Sequence, residues 1–390
     1  MEIVGASRLR FLKIIDMSYG LVCISEVLKE DDKTLAFKTI TRKRFAQLEN
    51  DQSGSGLLVL EERILHNLNL TRRIIEHCAS QGIFHYRLSS AMFPLMTDPT
   101  LGLELEKLSN YQDICESCDA IGVAAQSLSV SLSLHPDQFN VLASEKPAVV
   151  QKTIDELNFH AAIMDLIGLP QDYSAPINIH PSLSPKQNKE ELFREIVDRF
   201  YVAFSKCSQG VRKRLVVENE DKGLWTCANL FMYFHNYCGT KHNHFFPLTY
   251  DNLHDYCNPS VFENNKITIQ QNIDAFEKTW PSNYTPVFHW SWGKNGSRSH
   301  ADYADEQAPQ YNRKIKWELE VKAKDKAIFR LLNPTKETED LKEGAQQASE
   351  ETVIKQEEVK AVEKNVPAKP PEEKIETHNC NAGFNYIYGR

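Results

Sequence analysis

Eight short β-rich runs alternate with helical patterns along this chain, and this alternation limits its possible folds more than any other feature. Helical patterns lie between the runs, for example over 60–82, 149–168 and 190–207. Strands that alternate with helices form a parallel sheet, and eight strands are the number that closes a (β/α)8 barrel. We therefore predict an α/β TIM barrel over residues 1–334. The β-rich runs are 19–25, 84–90, 129–136, 176–182, 214–221, 245–252, 285–291 and 315–321.

Residues 335–378 depart from this pattern. They contain no aromatic residue and carry 12 Asp or Glu but only seven Lys. Such a composition cannot bury enough apolar surface to fold alone, so we predict a disordered acidic C-terminal tail. A short aromatic segment follows at 379–390. Because the tail accounts for five of the eight excess negative charges, the predicted barrel is nearly neutral, which allows a local nucleic-acid groove.

Several classes of protein are disfavoured. No run of 18 apolar residues exists, and the N-terminus lacks the pattern of a signal peptide, so we expect no membrane association and no secretion. The nine cysteines are irregularly spaced, which favours a reducing compartment over a disulfide framework. For a prokaryote we expect a cytoplasmic protein. Cys115 and Cys118 form a C-x-x-C, but the surrounding QDICESCDAIG is typical of an ordinary helix.

Six consecutive strand candidates carry a histidine or a carboxylate at their C-terminal ends. In a barrel these ends converge on one face, where active sites of this fold lie. Each residue alone has an ordinary interpretation: a lone His180 is more often a hydrogen-bonded core or turn histidine, and Glu320 could face solvent beside Lys322. Together they predict one cluster. Its members are His135, His180, Glu218, Asp251, His254, His289, His300 and Glu320.

The chemistry of this set suggests a metal. Imidazole and carboxylate ligands without thiolate suit Mn²⁺, Zn²⁺ or Fe²⁺. Seven or eight ligands are too many for one ion, so we predict two or three divalent ions that share a bridging carboxylate. Such clusters hydrolyse phosphodiesters. The residues alone leave open a metal-dependent sugar isomerase or epimerase, since that reaction also uses carboxylate and histidine ligands on this barrel.

The motifs around these residues resemble the UV damage endonucleases, relatives of the endonuclease IV-type abasic-site nucleases and the xylose isomerase-like barrels. The resemblance runs from about residue 17 to residue 333. Each motif is weak alone, but their shared order along the chain is specific. The motifs are VCIS, FHYRLSSAMFPLM, LHPDQF, INIHPS, VVENED, YDNLH, FHWSWG with SRSHADYAD, and ELEVKAKDKAIFRLL.

The resemblance implies a DNA-repair endonuclease that nicks duplex DNA immediately 5′ to a UV photoproduct, leaving 3′-hydroxyl and 5′-phosphate ends. It implies metal-assisted hydrolysis, typically with Mn²⁺, and double-stranded DNA with UV lesions as the partner. We expect a monomer. Carried over by motif, the first metal site is His135, His180 and Glu218. The second is Glu218, Asp251, His289 and Glu320, the catalytic set, with Glu218 as the bridge, and the third is His254 with His300.

Four positions depart from the family pattern. Asp98 stands where the family often has His; it could still act as a ligand, hydrogen-bond through water, or simply cap the next helix. Val287 replaces a Lys found in some members. The lesion-probing Gln-Tyr pair is Gln138-Phe139 here, and Phe139 could be a stacking wedge or a core residue. Leu21 replaces a probing Tyr and could act as an apolar wedge.

The positive residues near these motifs are candidate phosphate contacts. Arg87, Lys322 and Lys324 belong to this set, as do Lys294 and Arg298, and for each the alternative is a solvated charge. If the substitutions at Asp98 and Val287 have disrupted the cluster, the chain would be a catalytically impaired DNA-damage binding protein. The sequence leaves this alternative open beside the nuclease.

Overall fold

A computed structural model of the chain describes residues 18–51, 55–137, 139–262 and 265–333. The chain divides after Lys326 into two compact units. The first unit contains the barrel, and the second, Ala327–Arg390, is described only as far as residue 333. The predicted acidic tail and the aromatic segment at 379–390 lie outside the described residues. The boundary predicted at residue 334 therefore stays a prediction.

Eight parallel strands form the barrel, in the order β6-β5-β4-β3-β2-β1-β10-β9. The two edges of this sheet meet through an isolated parallel β-bridge between the backbones of Asp251 and His289. The backbone N–H of His289 donates to the carbonyl of Tyr250 at 2.8 Å. The predicted (β/α)8 barrel is confirmed. Its strands are β1 Ser18–Val22, β2 His85–Leu88, β3 Ser131–Leu134, β4 Ile177–Ile179, β5 Leu215–Glu218, β6 Leu248–Thr249, β9 Val287–Ser291 and β10 Lys316–Glu320, and β7 Val261–Phe262 pairs with β8 Asn265–Lys266 in a separate hairpin.

The three long helices predicted from the sequence are present as α3, α5 and α6. Gly82 and Gly168 lie just beyond α3 and α5 with left-handed φ of 75° and 81°, which suits glycine at a helix end. The helices are α1 Glu26–Asp31, α2 Arg42–Asn50, α3 Gly56–Ser80, α4 Tyr111–Ser127, α5 Pro147–Leu166, α6 Glu190–Phe204, α7 Gln209–Arg214, α8 Cys227–Leu230, α9 Cys238–His242, α10 Asn252–Cys257, α11 Ile269–Glu277 and α12 Asp325–Leu332. Shorter helical turns are Ser90–Met92, Leu105–Lys107 and Lys294–Gly296, and a π-helix covers Phe231–Tyr237.

Other local predictions can now be compared with the structure. The long connection between β1 and α3 contains α1 and α2, and its residues 52–54 lie outside the described range. Cys115 and Cys118 lie in α4, as the helical interpretation required. No helix in the described part of the chain combines the length and the apolar character needed to cross a bilayer.

The strands are buried on both faces, as in other parallel sheets covered by helices. The outward faces carry large apolar side chains; the indole of Trp317, for example, packs edge to face on Phe288 and Trp290, with ring centroids 5.8 and 5.6 Å away. The interior contains buried charged side chains instead, among them Glu218, His289 and Glu318. This polar interior positions the candidate site.

Candidate metal centre

Glu218, the last residue of β5, lies at the middle of the site and is only 1% exposed. Four imidazoles surround its carboxylate. Nε2 of His135 and of His180 lie 3.1 and 3.5 Å from Oε2. Nδ1 of His289 and of His254 lie 3.0 and 3.2 Å from Oε1. One carboxylate therefore faces two pairs of histidines, one pair at each oxygen.

The ligand atoms fall into three groups, within each of which every atom lies within 4.8 Å of the others. The first contains His135, His180 and Glu218, as predicted for one ion. The others differ from the predicted division, because His254 joins Glu218 and Asp251 rather than His300. The three groups are His135–His180–Glu218, Glu218–Asp251–His254 and Asp251–His289–Glu320.

His300 lies further out than the other predicted ligands. Its Nε2 is 3.7 Å from Oε2 of Glu320, and it belongs to none of the three groups. Val287 is buried at the start of β9 and offers no ligand atom. The assignment of His254 and His300 to one outer ion therefore stays a prediction, whereas the proximity of His254 to Glu218 is observed.

Hydrogen bonds hold several of these ligands in orientation. Asn178 on β4 donates to Oε2 of Glu218, and Ser291 at the end of β9 donates to Oδ2 of Asp251 at 2.5 Å. Nδ1 of His135 lies 2.9 Å from the carbonyl of Pro136. A proton held there leaves Nε2 of His135 free to bind a cation, which is the usual arrangement for a metal-binding histidine.

A second buried carboxylate lies next to these ligands, and the sequence reasoning missed it. Glu318 on β10 contacts Nη1 of Arg87 and Nε2 of His289, both at 3.1 Å, and Nε2 of His85 at 3.0 Å. Alternation along a strand was the signal that could have found it, because residues 318 and 320 point to the same side.

The prediction that Arg87 contacts phosphate is wrong. Its guanidinium is buried among carboxylates, where Nη1 contacts both Glu318 and Glu320. Burial of a cation is tolerated only with such partners. Arg87 is therefore occupied inside the barrel and is not available to DNA.

The prediction of a wedge at Leu21 is also wrong. A Cβ at Gly20 would lie only 2.4 Å from Cδ2 of His85, so position 20 faces the barrel interior. Alternation along β1 turns the neighbouring Leu21 the other way, and its side chain is completely buried. Tyr19 cannot take its place, because it is buried too and its hydroxyl accepts from the backbone N–H of Ala308 at 2.8 Å.

Asp98 has a local role in the structure. Its Oδ1 accepts from the backbone N–H of Thr100 at 2.9 Å, and its Oδ2 lies 2.8 Å from Nε of Arg42. Asp98 therefore opens a turn rather than capping a helix, and it belongs to none of the three ligand groups. Its predicted contact with the substrate stays a prediction.

The charge balance of the site is unusual. Burial lowers the pKa of His180 to about 3, so this ring is neutral and able to bind a metal. Burial also opposes protonation of His289, but Glu218 and Glu320 outweigh it and raise the pKa of this ring. Burial raises the pKa of Glu218, yet His289 and His180 outweigh it and hold that pKa well below its usual range. The carboxylate of Glu218 is therefore ionised and requires nearby positive charge.

The residues present fit divalent ions. Three carboxylates meet four imidazoles, and Nδ1 of His180 is buried without a hydrogen-bond partner in the described chain. Buried carboxylates are stable only beside cations or strong donors, and oxygen and imidazole ligands without thiolate suit Mn²⁺, Fe²⁺ or Zn²⁺. The cluster is thus a group of buried side chains able to bind metal, of an identity that the ligands do not specify.

The ligands open into a surface cleft with a volume of about 350 Å³. Phe139 stands at its edge and is 86% exposed, which rules out the interpretation as a core residue. Its neighbour Gln138 lies outside the described residues. The lining residues are Phe139, His180, Ser182, Glu220, Asp221, Lys222, His254, Arg298 and His300.

Glu220, a further carboxylate in this cleft, is largely enclosed. Its Oε1 accepts from the backbone N–H of Ser182 at 2.6 Å, which ties the loop after β5 to the loop after β4. Burial raises the pKa of Glu220 to about 7. Lys322 is exposed and Lys324 is partly enclosed just beyond β10, and their predicted phosphate contacts stay predictions.

The fold and the site define a (β/α)8 barrel with a buried histidine–carboxylate centre that opens to a cleft at the C-terminal ends of its strands. Comparison with known proteins identifies which barrel this is. The UV-endonuclease UvdE family matches residues 17–350, and the chain belongs to this family.

Individual relatives agree with this assignment. The chain is 31% identical over 317 residues to the UV DNA damage endonuclease of Nostoc sp., covering 80% of this chain and 88% of that protein. It is 28% identical over 307 residues to the enzyme of the same name from Bacillus cereus, covering 76% and 88%. The crystal structure of SacUVDE covers 84% of this chain and 98% of its own, with a TM-score of 0.61 and 23% identity, and so supports the fold.

Proposed function

We propose that this protein is a metal-dependent DNA-repair endonuclease that nicks duplex DNA immediately 5′ to UV photoproducts and leaves 3′-hydroxyl and 5′-phosphate ends. The observation that carries the proposal is the buried set of four imidazoles within 3.5 Å of Glu218, at the base of an open cleft. The membership of the chain in the UV-endonuclease UvdE family supports the same conclusion.

Two or three divalent ions, which we expect to be Mn²⁺, would bind at the three ligand groups. When bound, such ions activate water and stabilise charge on the phosphate and on the leaving oxygen. The chain itself orients the ligands: Asn178 holds Glu218, and Ser291 holds Asp251. No side chain of the chain needs to act as the nucleophile.

The cleft suggests how a lesion would be selected. A photoproduct weakens stacking and pairing, so that extruding it from the duplex costs less than extruding normal bases. The exposed ring of Phe139 at the cleft edge is suited to stack in the vacated space. Lys222 and Arg298 line the same cleft and supply positive charge for phosphates.

The other functions considered have weaker support. The exposed ring of Phe139 at the cleft edge suits a nuclease that displaces bases from a duplex, which favours the nuclease over a sugar isomerase. A catalytically impaired binding protein would be expected to have lost ligands, but three groups of ligand atoms are present among the described residues. All of these ligands come from one chain, so a monomer would suffice. For a prokaryote, DNA as the substrate would place the enzyme at the nucleoid.

Incision of a duplex oligonucleotide with one defined photoproduct tests the proposal. We expect a single cut immediately 5′ to the lesion with Mn²⁺, ligatable ends, and no cut with chelator or on the undamaged duplex. Cutting elsewhere, or no cutting with any divalent metal, would overturn it. Metal-free protein that binds the lesion tightly but never cuts after metal is restored would instead support the impaired binding protein.

A further inference from the structure

A layer of buried polar side chains lies directly beneath the candidate metal ligands, and Glu318 is at the centre of this layer. Glu318 and Glu320 are two residues apart on β10, so both side chains point into the barrel. Glu320 reaches the ligand groups, whereas Glu318 belongs to none of them. The carboxylate of Glu318 is therefore buried beside the cluster without being one of its grouped ligands.

Both oxygens of Glu318 are fully occupied. Oε1 lies 3.0 Å from Nε2 of His85 and accepts from the hydroxyl of Ser133. Oε2 lies 3.1 Å from Nη1 of Arg87 and 3.1 Å from Nε2 of His289. Arg87 is a permanent cation, so an acceptor-only, ionised carboxylate is the form that fits these four neighbours.

His289 is the residue that links this layer to the ligands. Its Nδ1 faces Glu218 at 3.0 Å and Glu320 at 3.4 Å. Its Nε2 is buried and makes no aligned hydrogen bond to any described residue, but it lies 3.1 Å from Glu318. A neutral imidazole has one N–H, so a proton held at Nε2 leaves the lone pair of Nδ1 for a metal.

We propose that Glu318 is a positioning residue that holds the Nε2–H of His289 and thereby presents Nδ1 to the metal centre. Arg87 serves the same purpose, because it contacts both Glu318 and Glu320 and so ties the two carboxylates together. The inference rests on the metal centre of the proposed function. It gives buried Arg87 a role in place of the rejected contact with phosphate.

The competing explanation is purely structural. A buried Arg–Glu pair could be needed for folding alone, since removing one partner leaves the other as an uncompensated buried charge. That explanation predicts a loss of stability without a change in metal affinity in the protein that does fold. Metal affinity and the protonation of His289 therefore separate the two explanations.

Binding of Mn²⁺ to metal-free protein, followed by the electron spin resonance signal of free Mn²⁺, is the first test. Glu318→Gln keeps the shape of the side chain but replaces one carboxylate oxygen with an NH2 group. Either the donors His85 and Ser133 or the donors Arg87 and His289 then lose their acceptor. We expect affinity at one site to fall about 10- to 100-fold, the usual effect of losing such a partner. Wild-type affinity in folded Glu318→Gln protein would overturn the inference, whereas absence of Mn²⁺ binding in the wild type would overturn the proposed function as well.

Glu61→Gln is the matched control. Glu61 on α3 is as buried as Glu318, and its carboxylate accepts from the backbone N–H of Ser109 at 2.8 Å and of Asn110 at 3.2 Å. It has no place in the ligand groups. This variant should lose stability and retain Mn²⁺ affinity. An equal loss of affinity in Glu61→Gln would show that destabilisation alone lowers metal affinity, and it would overturn the inference.

The proton itself can be observed in Zn²⁺-loaded, ¹⁵N-histidine-labelled protein by nuclear magnetic resonance. We expect His289 to show an Nε2–H and a metal-bound Nδ1 in the wild type, and a shifted or exchange-broadened Nε2–H in Glu318→Gln. An Nδ1–H form in the wild type would overturn the inference. If Glu318→Gln does not fold, Ser133→Ala removes only one donor to Glu318; we expect Mn²⁺ affinity several-fold weaker, and unchanged affinity would overturn the inference.

Discussion

Oε1 of Glu218 lies 3.0 Å from Nδ1 of His289, although the two residues belong to different strands, β5 and β9, with β6 between them. The other oxygen of the same carboxylate faces His135 and His180. Glu218 is thus shared between two groups of ligands, and this arrangement is what a bridge between two ions requires.

Glu218→Gln should abolish incision, with a loss of at least about 100-fold, or about 2.7 kcal/mol of transition-state stabilisation. The amide cannot supply two anionic oxygens, so bound metal per protein should fall too. Incision assays and elemental analysis measure both. Glu156→Gln is the control, because Glu156 also contacts a histidine, His160 at 3.0 Å, but on outer helix α5. Near-normal incision by Glu218→Gln would show that the cluster is misassigned.

Phe139→Ala should weaken binding to damaged duplex about 5- to 150-fold, since stacking on an aromatic ring contributes about 1–3 kcal/mol per base. Metal content should not change, because Phe139 is exposed at the cleft edge and offers no ligand atom. Fluorescence anisotropy with damaged and undamaged duplexes measures the effect. Phe84→Ala is the control: Phe84 is also exposed, but it precedes β2 at the opposite end of the barrel. Loss of metal in Phe139→Ala would contradict this prediction.

Arg298→Ala should weaken DNA binding and reduce the slope of log K against log salt by about 1, as expected for one lost phosphate contact. In the free protein, Nε of Arg298 lies 3.5 Å from Oδ2 of Asp221, and both residues line the cleft. Asp221→Asn removes the negative charge that pairs with Arg298, so this variant should bind DNA more tightly. Arg194→Ala on the outer helix α6 is the control. An unchanged salt slope in Arg298→Ala would mean that this side chain makes no phosphate contact.

Asp325 should make stability depend on pH. It is fully buried, and its carboxylate accepts from Ser25, from the backbone N–H of Glu26 at 2.9 Å and from Nε2 of His77 at 3.1 Å. Burial raises its pKa, but the donors, His77 first, outweigh burial and lower that pKa below its usual range. The folded pKa is therefore below the unfolded value of about 3.9. The stabilisation is present above about pH 4 and is lost as pH falls through the folded pKa.

Asp325→Asn should consequently lower the free energy of unfolding by about 1.5–3 kcal/mol at pH 7, the range for hydrogen bonds to a charged group. The difference from wild type should shrink below about pH 4. Urea unfolding with chelator present, so that the metal centre does not contribute, measures it at both pH values. A difference that stayed constant down to pH 3 would show that charge on Asp325 is irrelevant.

Much of the architecture was available from the sequence alone. Strand alternation and helix periodicity are local properties, and they located all eight strands and the three long helices. The ligand positions followed from one geometric rule, that the C-terminal ends of barrel strands converge. That rule needs only the order of strands, and so Glu218, Asp251 and His289 could be expected to meet before any coordinates were known.

The partners of Arg87 and the burial of Leu21 were decided only by the tertiary structure. The carboxylate partners of Arg87 lie more than 230 residues later in the chain, so nothing near it could indicate that its charge is already neutralised. Leu21 faces outward because Gly20 faces His85. Which alternate residues of a strand point into the barrel is known only once the strands are packed side by side. A side chain's periodicity is a local property, but its electrostatic partner and the face it presents depend on distant residues, and only folding brings those together.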